Sequence, residues 1–148
     1  MAKTTTYEGF TEEERAAMKD RAAELKSAKR GGSASKKAAA DDQAVRDAIE
    51  ALPEADQVIA EKLYAIVRDT APDLAPKTWY GMPAFARDGK VVVFFKPAAK
   101  FKVRYAEVGF NEWAQLDDGD MWPTAFAVVA MNPAIEEKLT ALVTKAAG

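Results

Sequence analysis

Residues 84 to 96 read AFARDGKVVVFFK, and this stretch limits the fold more than any other. Asp88-Gly89 separates two apolar runs by two residues that both tolerate positive φ, as a two-residue hairpin turn requires. An antiparallel hairpin is therefore expected. Its second arm, Val91 to Phe95, is apolar throughout, which suits a central strand.

Neighbouring segments extend the sheet. Residues 100 to 105 alternate strictly, so a strand is expected there with Phe101, Val103 and Tyr105 on one face and Lys100, Lys102 and Arg104 on the other. Trp79 and Tyr80 stand just before Gly81, Met82 and Pro83, where a turn is expected. If the segment is extended, alternation sends the two rings to opposite faces, one into the core and one outward. A last strand is expected around residues 124 to 129, after Met121-Trp122-Pro123.

Helices flank these strands. Thr11 and Glu14 form a capping box at the start of a helix whose large apolar residues are only Met18 and Leu25. Such a narrow stripe docks weakly or serves something outside the domain. Residues 27 to 40, SAKRGGSASKKAAA, have the composition of a flexible basic linker. Asp41 or Asp42 is expected to cap the next helix, with Val45, Ala48, Ile49 and Leu52 on its apolar face. Pro53 closes that helix, and a third follows with Val58, Ile59, Leu63, Ile66 and Val67 on one side. Asn132-Pro133 caps a terminal helix bearing Ile135, Leu139, Leu142 and Val143. The predicted class is α+β: an antiparallel sheet of about four to five strands with helices packed on one face. Residues 1 to 41 form an N-terminal extension, and residues 42 to 148 form the domain.

Composition removes several chemistries. The chain of 148 residues has no Cys and no His, which excludes disulfides, thiolate nucleophiles, His-based triads and Cys- or His-rich metal sites. Ser occurs only at Ser27, Ser33 and Ser35, inside the expected linker, so a buried serine nucleophile is disfavoured. No phosphate-binding glycine loop is present. A non-enzymatic protein is the economical reading.

Charge narrows the partners. Residues 1 to 41 hold nine Lys or Arg against seven Asp or Glu, and residues 42 to 148 hold twelve against sixteen. That balance disfavours duplex nucleic acid, which needs a strongly basic face. No apolar run has the length of a signal peptide or a membrane span, so a cytoplasmic protein is expected.

The order of helix pair, WYGMPAF, DGKVVVFF, KFKVRY, MWPTAF and terminal helix resembles the YdhG-like family of small uncharacterised bacterial domains. The resemblance covers roughly residues 42 to 146, carried by Trp79, Pro83, Phe85 and Trp122-Pro123. It implies a frataxin-like α+β fold and, for one branch, an intracellular iron chaperone that handles ferrous iron. It would make acidic helix residues the iron contacts and the exposed sheet face the partner surface.

Three candidate sites follow from the residues. Asp117, Asp118 and Asp120 are the densest carboxylate cluster, able to hold a hard cation such as ferrous iron weakly, or simply to form a solvated turn. Lys100, Lys102 and Arg104 could seat a small anionic ligand or an acidic protein partner, or only keep a strand soluble. Trp79, Tyr80, Met82 and Trp122 could line a small-molecule cleft, or serve as core.

Overall fold

The computed structural model describes residues 9 to 29 and 34 to 148. Helix α1 (Glu12–Lys29) leads to α2 (Ala34–Glu50) and α3 (Glu54–Thr70). Strands β1 (Ala75–Trp79), β2 (Met82–Arg87) and β3 (Lys90–Lys96) follow, then a single turn of helix, α4 (Ala98–Phe101). Strands β4 (Ala106–Phe110) and β5 (Ala125–Val128) complete the sheet before the terminal helix α5 (Pro133–Ala147). The five strands form one antiparallel meander in the order β1-β2-β3-β4-β5. The α+β class expected from the sequence is the class observed.

Asp88-Gly89 forms the turn between β2 and β3, with φ of 52° and 80°. A bulge then shifts the register between Phe85 and Ala86, so Phe85 faces Val93 while Ala86 faces Val91. That shift lets both Val92 and Val93 enter the main core with Phe85 and Phe95. Onto this face pack Val45 and Ile49 of α2, Ile59, Leu63 and Val67 of α3, and Leu139 and Val143 of α5. Residues repeating every three or four positions place all of them on the inner sides of their helices.

Two helix starts are capped by their own residues, and the end of α5 is satisfied by donors from distant segments. The Thr11 hydroxyl accepts from the Glu14 amide at 3.0 Å while the Glu14 carboxylate accepts from the Thr11 amide at 3.0 Å, completing the capping box. Asn132 accepts from the Ile135 amide at 3.0 Å, with Pro133 in the first turn. At the far end of α5, Arg87 and Gln115 donate to the last carbonyls, those of Ala147 and Ala146. Asp56, the one buried charged residue among those described, accepts from the Ala99 amide at 2.9 Å. It thereby joins the start of α3 to the start of α4.

Four expectations are corrected. First, residues 100 to 105 do not form a strand: α4 ends at Phe101, and Lys102 adopts a left-handed conformation with φ 53° and ψ 47°. Strand β4 begins only at Ala106. Pro97 starts the helical turn, and the Asp56 carboxylate holds its second amide, so a local helix displaces the alternating pattern. Second, the expected basic linker is largely helical. Residues 27 to 29 belong to α1 and residues 34 to 40 to α2, because Ala and Lys favour helix once the chain packs; residues 30 to 33 lie outside those described. Third, Asp41 and Asp42 lie inside α2 and do not cap it; Asp41 pairs with Lys37 at 3.3 Å and Asp42 with Arg46 at 3.1 Å. Fourth, Pro83 is a strand residue paired with Thr78, and the turn is Tyr80-Gly81 instead.

Candidate functional site

Trp79 and Met82 are directly opposed across the β1–β2 hairpin, leaving Tyr80 and Gly81 as its two turn residues. Both have positive φ, 54° and 76°. Gly81 accepts this freely, but a bulky Tyr in that region costs about 1 to 2 kcal/mol. Such strain persists only where surrounding contacts fix it.

Helix α1 supplies those contacts. The Glu24 carboxylate accepts from the Tyr80 amide and from the Gly81 amide, each at 3.0 Å. One oxygen serves each donor, so the two turn amides are held by a charged acceptor. Arg21 lies 5.8 Å from the Tyr80 ring and 3.5 Å from Glu24. Two further ties come from the same helix. Asp20 pairs with Lys100 at 3.2 Å, and Glu13 pairs with Lys102 at 2.9 Å.

The Glu13 carboxyl is held below its ordinary range, first by the Lys102 hydrogen bond, and the Lys102 ammonium is held above its own, first by Glu13. Lys77 moves the other way. Burial pushes its ammonium down, and nearby Arg21 adds to that.

Strand register puts Trp79, Met82, Ala84, Phe94, Gly109, Lys96 and Glu107 on the sheet face opposite the main core. The Phe94 ring lies over Gly109, where a Cβ would meet the ring carbons at 2.2 to 2.7 Å. Trp79 contacts Phe94 and Tyr80, each with ring centroids 5.1 Å apart. Above these rings, Phe10, Ala17 and Met18 form the opposite wall, and Phe101 of α4 closes one side. The result is a groove of about 370 Å³. Glu14, Lys96 and Glu107 are its charged lining residues, and Lys96 forms no ion pair among the described residues.

Of the residues expected to bind, Trp79, Tyr80 and Met82 therefore meet in one groove. Their placement differs from a division into core and surface, because the Tyr80-Gly81 turn turns both rings to the α1 side and neither joins the main core. Trp122 lies elsewhere, packed on the main core beside a second cleft lined by Asp117 and Asp120. Lys100 and Lys102 are engaged by α1, and Arg104 stacks on Tyr105 at 5.2 Å. No basic row forms. Asp117, Asp118 and Asp120 are exposed, and among the described residues no three acidic side chains gather as a metal site.

Sequence reasoning missed Glu24, Phe94 and Phe101 as site residues. Glu24 shows no local sign of its role, because the two turn amides it holds lie more than fifty positions away. Phe94 sits in an unbroken apolar run, and only its pairing with Gly109 shows which face it takes. Among the described residues no helix is long and apolar enough to cross a membrane. Comparison with family models, curated proteins and solved structures finds no match to this chain.

Proposed function

We propose that this protein is a non-enzymatic binding or carrier module on a YdhG-like scaffold, and that its ligand occupies the groove between α1 and the second face of the sheet. The observation that supports this reading is the left-handed Tyr80, whose ring is kept in an aromatic wall at a cost in backbone strain. A glycine or asparagine would satisfy the turn better, so the ring serves something other than the turn. The volume of about 370 Å³ suits a small molecule.

Charge selects the ligand class. Glu107 and the second oxygen of Glu14, whose first accepts from the Thr11 amide, outnumber Lys96 in the lining, and aromatic faces attract cations. A flat, largely apolar compound bearing an amino group fits better than the small anion suggested by the lysine-rich sequence, because Lys100 and Lys102 are already paired with α1.

Tryptophan fluorescence titration with aromatic amines, and with aromatic carboxylates for contrast, tests the reading. Saturable quenching by the amines is expected, and it should be lost in Tyr80→Asn although that variant folds with undiminished stability. Equal responses to both panels, or amine binding unchanged by Tyr80→Asn, would overturn it.

A further inference from the structure

The two edges of the sheet are finished differently. Edge strand β1 is flanked by α2 and carries Lys77, two of the devices that stop a sheet from adding strands. Among the described residues edge strand β5 has neither. It lies in the longest uncharged stretch of the chain, the fifteen residues 121 to 135, between Asp120 and Glu136. Among the described residues no strand lies beyond it. The two most exposed large apolar side chains, Met121 at 88% and Val129 at 80%, flank it.

The direction of its free backbone groups follows from the ladder. The Phe110 amide donates to the Thr124 carbonyl at 2.7 Å, which fixes the alternation along the pair. Phe126 and Val128 then face β4 with their N–H and C=O groups, while Ala125 and Ala127 turn theirs to the open edge. Both alanines are exposed, and neither presents a bulky or charged side chain to an approaching strand.

We propose that this edge pairs with β5 of a second copy, antiparallel and centred on Phe126, to give a two-fold dimer with one continuous ten-stranded sheet. A two-fold axis sets each residue against a copy of its own neighbourhood, so any charge on the strand would meet a like charge across the axis. The uncharged stretch removes that repulsion. In this register Ala125 pairs with Ala127 of the other copy and Phe126 meets Phe126. Phe126 is only half-buried, sits edge-on to Phe110 at 6.0 Å, and gains an aromatic partner across the axis. A second copy fits better than a foreign peptide because the segment is its own complement in length, size and lack of charge. The interface is strand-sized, so the dimer belongs to the weak, concentration-dependent class.

Sedimentation equilibrium over a wide concentration range tests the proposal with two variants. The wild-type chain should rise from 16.1 kDa toward twice that mass, with no larger species. Ala125→Pro removes an outward N–H at the first residue of an edge strand, where the monomer loses no hydrogen bond. Ala127→Lys places a charge on the exposed edge. Both should stay at the monomer mass with unchanged circular dichroism and melting. A wild-type chain that stays monomeric throughout, or a dimer that persists in both variants, would overturn it. If the variants unfold, wild-type amide exchange decides: the Ala125 and Ala127 amides should slow as concentration rises, and concentration-independent exchange refutes the pairing.

Discussion

On one face of the sheet, Phe85, Val93 and Phe95 are buried among side chains of α2, α3 and α5, and burial of apolar surface holds the layers together. On the other, α1 brings one buried alanine, Ala17, while Met18 and Leu25 stay 37% and 48% exposed. There the hold is polar: Glu24 on two amides, Asp20 on Lys100, and Glu13 on Lys102. Apolar closure is close-packed and leaves little room, whereas point attachments can bridge a gap. The second arrangement is what leaves a groove. It also makes α1 the part of the molecule able to open without unfolding the rest.

The largest effect should come from the first face. Phe85→Ala empties a fully buried site and should cost about 3 to 5 kcal/mol of global stability, read as a lower denaturant midpoint. A loss under about 1 kcal/mol would mean that the main core is not where stability resides.

Gly109→Ala probes the second face. Its methyl group must push the Phe94 ring out of place, which should cost about 1 to 3 kcal/mol and shrink the groove. Fluorescence of Trp79, in contact with Phe94, reports the shift against a Trp113→Phe, Trp122→Phe background. An unchanged spectrum and melting temperature would contradict the packing described.

The smallest effect belongs to the Glu13–Lys102 tie. Glu13 is held below its ordinary range, so its contribution is present above the ordinary carboxylate range and lost as pH falls through the lowered value. Lys102 is held above its ordinary range, so its contribution is present below the ordinary ammonium range and lost as pH rises through the raised value. Around neutrality the tie is complete. Glu13→Gln should remove this tie's share of the acid-side and salt dependence of α1 attachment, leaving the Asp20 and Glu24 ties in place, while the global midpoint hardly moves.

Much of the first face was legible in the sequence, and little of the second. Asp88-Gly89, the capping residue Asn132, and the three- and four-residue spacing in α3 and α5 are local signals, and local geometry decides them. Residues 100 to 105 show the limit. Their alternation is real, but Pro97 and the carboxylate of Asp56, forty-three positions before the Ala99 amide it accepts from, make the chain turn helical first. The site fared similarly. Trp79, Tyr80 and Met82 stand out as bulky residues beside a turn, whereas Glu24 and Phe94 join them only through pairings between distant segments. Lysines 100 and 102 misled because charge in sequence does not show which charges are already paired.

Hydrogen exchange of α1 and α3 amides in the wild type and in Glu24→Ala tests the contrast most directly. Removing the carboxylate should loosen α1 by about 1 to 3 kcal/mol, as expected for two hydrogen bonds at about 0.5 to 1.5 kcal/mol net each. The account predicts that α1 amides exchange faster than those of α3 in the wild type and faster still in the variant, with α3 protection unchanged. Equal protection of both helices, slowed or quickened together by the substitution, would contradict it.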